Sequence, residues 1–147
     1  MKKIKLILFY FSPVIIFFAN DIVRSYLRPI YGLRKYGCIS TVLGWLPNYF
    51  AGFGFVLLGL ILFKFIIDLF KDKNYYSYIY KYMTLITILS AVGLILWEFA
   101  QKNGKLIYDI NDIYATIGGL LTGYLIFLIL MLKGLLKPKD DHNNKVN

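Results

Sequence analysis

Five polar residues in the C-terminal half of the chain have types and spacings that suit binding or acid–base chemistry. Glu98 and Gln101 are three residues apart and share a helix face. Asp109, Asp112 and Thr116 follow at spacings of three and four, which places them on one side of the next helix. Two carboxylates could act as acid and base, or could hold a divalent cation together with amide oxygens. These five residues form the candidate site.

The polar stripe continues into glycines. Gly118 and Gly119 follow Thr116, and Gly119 and Gly123 form a GxxxG pattern that lets another helix approach closely. We expect the stripe to face protein, because an ionised carboxylate in lipid costs about 2.5–3.5 kcal/mol at a helix centre. The pattern fits packing within one chain and packing between copies of the chain, so a homo-oligomer is a candidate assembly.

A structural role competes with the binding role. Asp109 could be the N-cap of its helix, with Asp112 favoured by the positive helix end. If Glu98, Asp109 and Asp112 instead converge, their mutual repulsion should raise the pKa of at least one of them unless a cation or an arginine lies nearby. The sequence does not decide whether a metal binds. Three arginines are candidate counter-charges: Arg24, Arg28 and Arg34.

Composition indicates a membrane protein. The chain has 147 residues, of which 59% are hydrophobic, too many for the remaining polar residues to cover in a soluble domain. The formal net charge is +9, but no nucleic-acid-binding motif accompanies it, so nucleic acid is excluded as a partner. Cys38 and His142 are the only cysteine and the only histidine. No Ser-His, Cys-His or multi-histidine chemistry is available within one subunit, and no catalytic residue or cofactor is predicted.

Four apolar segments predict an all-α, polytopic membrane protein. They cover residues 6–19, 46–63, 83–97 (extended past Glu98) and 113–132. The first also resembles a signal peptide, but residues 17–19 lack the small residue that precedes a cleavage site, so we expect it to be retained. Residues 1–137 form one four-helix membrane domain, and residues 138–147 a disordered tail.

The distribution of lysine predicts that both termini are cytoplasmic and that the acidic stretch faces outward. The first outer segment, residues 20–45, is expected to begin with a short amphipathic helix that lies on the outer leaflet and that Pro29 ends or kinks. Its apolar side consists of Ile22, Val23, Tyr26, Leu27 and Ile30. Arg24 and Arg28 on the other side are available to phosphates or carboxylates, or they simply face water and headgroups.

The motif resembles the VanZ-like family of bacterial membrane proteins. That family carries a glutamate and a glutamine at the end of one transmembrane helix, followed by two aspartates and an asparagine that lead into the next helix. Here these positions are Glu98 and Gln101, then Asp109, Asp112 and Thr116, so threonine stands where asparagine is usual. A second departure covers residues 45–52, where many members carry an acidic–basic pair and a histidine.

The resemblance implies a small polytopic protein of the bacterial cytoplasmic membrane with an envelope-related role. The family's namesake is associated with low-level resistance to the glycopeptide teicoplanin, although a shared motif does not transfer that phenotype. The expected function is binding of an envelope ligand at an outward polar site. Its candidate partners are membrane lipids, a cell-wall precursor or glycopeptide, or a cation. The alternatives are an enzyme acting on a lipid-linked substrate and a transporter or helper subunit.

Overall fold

The computed structural model describes residues 2–31, 36–70, 75–102 and 109–136, with side chains described for residues 9–31, 36–69, 78–100 and 109–136. Every regular element in these ranges is helical, which confirms the all-α prediction. The elements are α1 (Lys2–Ile22), a π-helix (Val23–Leu27), α2 (Arg28–Tyr31), α3 (Cys38–Phe70), α4 (Tyr75–Lys102) and α5 (Ile110–Leu132). The predicted tail, residues 138–147, lies outside the described residues.

Three of the described helices are long and apolar enough to cross a membrane, judged by length and composition. The stretches concerned are Cys38–Leu69, Tyr78–Ala100 and Ile110–Leu132. They contain the second and fourth predicted spans and the third with its extension past Glu98. The first predicted span lies within α1, which is not among the three, and so remains a prediction.

The N-terminal helix does not end where the sequence suggested. Asn20 and Asp21 lie within α1, which runs directly into the π-helix and then into α2. The N–H of Arg28 donates to the carbonyl of Val23, a wider turn than in an α-helix. Pro29, which follows, has no N–H to donate, so the regular ladder cannot continue through it.

Val23 alone among the residues of that predicted apolar side is buried, at 6% exposure. Ile22, Tyr26, Leu27 and Ile30 stay exposed. The predicted amphipathic segment is not a separate helix in the described residues, and an outer-leaflet position for its exposed apolar residues stays a prediction. A continuous helix with a π segment occupies its place.

The helix α3 is the centre of the bundle. It begins at Cys38, before the predicted span, and Pro47 lies inside it. In the most apolar part of α3, 56% of residues are buried, against 33% in α5 and 11% in α4. The core is apolar and is built from α3, α4, α5 and the turn after α5: Val56, Leu57, Leu60, Phe63, Ile67, Ile79, Met83, Leu120, Phe127, Met131 and Leu136.

Contacts fix the directions of the helices. Tyr10 of α1 meets Asp68 and Phe17 meets Phe55, so α1 runs antiparallel to α3. In α4, Tyr80 stacks edge-on against Phe127 and Thr84 hydrogen-bonds with Tyr124, so α4 runs antiparallel to α5. The helix α4 begins at Tyr75, two turns before the predicted third span of residues 83–97.

Glycines bring α3 and α5 into backbone contact. A Cβ atom on Gly52 would lie 2.5 Å from the carbonyl oxygen of Thr116, and one on Gly119 would overlap the carbonyl oxygen of Tyr49. Gly123 packs against Val56 one turn further on. The successive contacts show that the two helices run parallel. The GxxxG pattern therefore serves packing within the chain, as small residues do where helices meet in lipid.

Candidate ligand-binding site

The site is built from the N-terminal ends of α3 and α5, which the parallel packing brings to one end of the bundle. Asp109 is the N-cap of α5, with φ −128° and ψ 122°. Its Oδ1 accepts a hydrogen bond from the backbone N–H of Asn111 at 2.9 Å and another from Asn111 Nδ2 at 2.8 Å. The capping role considered from sequence is thus the role that Asp109 has in the fold, since it satisfies a free donor of the first turn.

Asp112 lies in the first turn of α5 and is directed towards α3. Its backbone N–H donates to the carbonyl of Asp109 at 3.0 Å, and its carboxylate accepts a hydrogen bond from the side-chain amide of Asn48. Asn48 is next to Pro47 in α3, four residues before Gly52. One turn further along both helices, Gly52 packs against the carbonyl oxygen of Thr116, and this backbone contact helps to hold the polar pair in place.

Arg28 is close enough to Asp112 for their charges to interact. The charged atoms of Arg28 and Asp112 are too far apart for a direct ion pair. In the described residues, the ion pair with its nitrogen and oxygen in direct contact is that of Lys64 with Asp68. Arg28 is exposed, as is Arg24. Arg34, the third predicted counter-charge, lies outside the described residues. The guanidinium of Arg28 and the carboxylate of Asp112 are therefore close to each other at this end of the bundle, with a gap between them.

The deeper members of the predicted stripe serve packing. Thr116 is 2% exposed, and its carbonyl oxygen faces Gly52. Gly119 and Gly123 face α3, whereas Gly118 is turned partly away, with the ring of Tyr49 at 3.8 Å from an added Cβ. Tyr49 also donates from its hydroxyl to Thr122 Oγ1 at 3.1 Å, which adds a polar link between the two helices.

Glu98 is buried at 5% exposure, although Trp97 beside it is 63% exposed. This burial places the Glu98 side chain within the bundle. The antiparallel register of α4 brings its C-terminal end to the start of α5, so Glu98 and Asp112 lie at the same end of the molecule. Gln101 is within α4, but its side chain lies outside the described residues.

Among the described residues, no group of three His, Cys, Asp or Glu side chains is arranged to hold a metal ion. The three carboxylates considered from sequence, Glu98, Asp109 and Asp112, thus do not form such a group.

An apolar groove lies beside the polar pair. It has a volume of about 440 Å³ and is formed by one stripe of α3 and one stripe of α5. The lining residues are Val42, Trp45, Leu46 and Tyr49 of α3 with Asn111, Tyr114, Ala115 and Gly118 of α5. This volume falls within the range of about 300–1,000 Å³ that is usual for small-molecule sites. Its polar end is at Asn111, between the capping Asp109 and Asp112.

A second polar cluster lies at the opposite end of the bundle. Lys64 Nζ is 2.5 Å from Asp68 Oδ1 one turn along α3, and its side chain is 8% exposed. The hydroxyl of Tyr10 in α1 donates to Asp68 Oδ2 at 3.1 Å. This cluster joins α1 to α3.

Sequence reasoning singled out neither Asn48 as a partner of Asp112 nor the Tyr10–Lys64–Asp68 cluster. The spacing of Lys64 and Asp68, four residues apart on one helix, is a signal for the ion pair. The polar Asn48 next to Pro47 in an apolar run is a weaker signal, because its partner lies on another helix. Pairings between helices do not follow from spacing in one of them.

Comparisons of the chain with protein families, with curated proteins and with solved structures give no match. The resemblance to the VanZ-like family therefore rests on the motif residues alone.

Proposed function

We propose that the chain is a VanZ-like, multi-pass protein of the bacterial cytoplasmic membrane that binds the headgroup of an envelope amphiphile, either a lipid or a lipid-linked cell-wall precursor. In this proposal α1 is a fourth span, both termini are cytoplasmic and the polar site opens outward. The observation that carries the binding role is the Asp112–Asn48 pair directly beside an apolar groove.

The arrangement fits an amphiphile because it offers two environments side by side. The groove provides apolar and aromatic side chains, to which an acyl or isoprenoid chain is complementary. Asp112 is partly buried, and a carboxylate has about four acceptor positions, of which Asn48 uses only some. A polar headgroup can therefore hydrogen-bond at the end of the groove while its chain stays in apolar surroundings.

The test is retention of lipid by the purified, full-length protein. Wild type, Asn48→Leu and Asp112→Asn are extracted in mild detergent, washed and examined by native mass spectrometry for bound amphiphiles. We expect both variants to retain about tenfold less, since a hydrogen bond to a charged group contributes about 1.5–3 kcal/mol. The matched control is Ser90→Ala, which lies in a separate groove between α3 and α4.

Susceptibility to envelope-directed antibiotics, measured at equal membrane abundance, gives the second readout. We expect Asp112→Asn to change susceptibility and Ser90→Ala to leave it unaltered. Equal lipid retention and equal susceptibility in all four proteins would exclude a binding role for the polar pair.

A further inference from the structure

The charges around the groove select one class of headgroup. Asp112 follows Asn111, which lines the polar end of the groove, and the guanidinium of Arg28 is close enough for its charge to act on the Asp112 carboxylate without a direct ion pair. A ligand that fills the gap must carry a negative group for Arg28 and a positive, hydrogen-bonding group for Asp112. We propose that the preferred ligand is a zwitterionic phospholipid with a primary amine, its phosphate on Arg28, its ammonium on Asp112 and one acyl chain in the groove. This inference rests on the proposed function.

The two charged groups suit the two halves of such a headgroup. A guanidinium presents several N–H donors in a planar fork that matches phosphate oxygens. A primary ammonium has three N–H donors, and bonds of this kind to a carboxylate are shorter and stronger than neutral ones. Asn48 holds Asp112 from the α3 side, so the carboxylate does not have to be ordered when the amine arrives.

The same charges act against other headgroups. An anionic lipid with a glycerol headgroup could satisfy Arg28, but it would bring no cation to Asp112. A choline headgroup carries the positive charge without an N–H, so it cannot donate to the carboxylate. The site would therefore discriminate in two ways. It attracts the ethanolamine headgroup, and it leaves Asp112 without a hydrogen-bonding cation when one of the other headgroups binds.

The groove offers a place for the chain of the lipid. Tyr114 and Trp45 lie towards its polar end, and aromatic side chains of this kind are enriched at the level of lipid headgroups. Ala115 and Gly118 lie in its wall and leave its volume open. A larger side chain at Ala115, which lines the groove and is not itself part of the Asp112–Asn48 pair, would fill the groove.

The experiment measures competition among three phospholipids with identical acyl chains and with ethanolamine, choline or glycerol headgroups. The full-length protein is reconstituted in nanodiscs of defined composition, and native mass spectrometry reports the lipid it retains on ejection. We expect wild type to prefer the ethanolamine lipid by about tenfold over each of the others, as a charge-assisted hydrogen bond implies.

Three variants separate the contributions. Asp112→Asn should reduce the preference for ethanolamine over choline to less than about twofold. Arg28→Gln should weaken retention of the ethanolamine and choline lipids alike while keeping the ethanolamine preference. Ala115→Phe should lower retention of all three lipids. Arg24→Gln, an exposed arginine four residues before Arg28, is the matched control and should leave the wild-type pattern unchanged.

The following results would each contradict the headgroup assignment, the proposed function or both. If wild type shows no ethanolamine preference, or Asp112→Asn keeps it, the headgroup assignment is wrong; the proposed function survives that result if Ala115→Phe still lowers retention. If neither Ala115→Phe nor Asp112→Asn lowers retention of any lipid, both proposals fail. Arg28 and Ala115 are not fully buried, so Arg28→Gln and Ala115→Phe are expected to fold. These two variants therefore still test the proposal if Asp112→Asn fails to fold.

Discussion

Gly119 of α5 lies against the carbonyl oxygen of Tyr49 in α3, so closely that a Cβ atom added to Gly119 would overlap that oxygen. The contact involves backbone on both sides, which leaves no flexible side chain to move away. Since lipid tails are as apolar as leucine, close backbone packing of this kind replaces the hydrophobic effect as the source of helix association. It also sets the distance between Asp112 and Asn48, which lie further towards the N-terminal ends.

The first prediction concerns that contact. Gly119→Ala should destabilise the bundle by about 1–3 kcal/mol, the usual cost of forcing extra atoms into a well-packed interior. Unfolding in mixed detergent, followed by circular dichroism, measures the effect. The neighbouring Gly118→Ala is the control, because its Cβ would have the ring of Tyr49 at an ordinary 3.8 Å. Equal stability of the two alanine variants would contradict the close contact.

A second prediction separates the two aspartates at the start of α5. Asp109→Ala should cost about 1 kcal/mol of stability, because the N-cap acceptor for Asn111 is lost. Asp109→Asn retains an acceptor oxygen and should keep near-wild-type stability. It should also retain the wild-type preference among lipid headgroups, which we assign to Asp112.

The same unfolding and lipid-retention measurements apply to both Asp109 variants. Loss of headgroup preference in Asp109→Asn, with stability unchanged, would make Asp109 a ligand-binding residue in addition to a cap.

The features of the site that could be predicted from sequence are those that depend on one helix. The spacing of Asp112, Thr116, Gly119 and Gly123 predicted a protein-facing stripe, and these residues do face α3. Asp109 was recognised as a candidate cap for the same reason, since a cap is a local feature.

Features that depend on tertiary packing or on a local change of helix type were missed. The hydrogen bond between Asn48 and Asp112 requires the register of α3 against α5, which glycine contacts set. The π-helix after Ile22 makes the predicted amphipathic segment continuous with α1, a local change of helix type that the apolar spacing did not indicate. The helix α3 extends past the predicted span of residues 46–63 at both ends. Lys64, at which the uncharged run stops, lies inside the helix and is paired there with Asp68.

A third prediction concerns the ion pair of Lys64 with Asp68. Asp68→Asn removes the counter-charge of a largely buried ammonium and the charged acceptor of the Tyr10 hydroxyl. We expect the free energy of unfolding to fall by up to about 3 kcal/mol. This is the low end of the usual cost of breaking a buried ion pair, because Asp68 is partly exposed. The double variant Lys64→Met with Asp68→Leu should lose less, since no charge is left unpaired.

Unfolding of the two variants in the same detergent compares them directly. If the double variant is the less stable one, the pair contributes net stability, and the expected order is wrong. Neither variant should alter lipid retention, because the cluster lies at the end of the bundle opposite Asp112.

The fourth prediction tests the proposed orientation through the native cysteine. Cys38 is the only cysteine in the chain, is exposed and lies at the start of α3, at the same end as Asp112. With the site facing outward, a membrane-impermeant maleimide should label Cys38 in intact cells as fully as after permeabilisation, and Cys38→Ser should abolish the signal. Lys133 is exposed just after α5, so Lys133→Cys in the Cys38→Ser background should be labelled only after permeabilisation. The opposite pattern at both positions would place the Asp112 site on the cytoplasmic side.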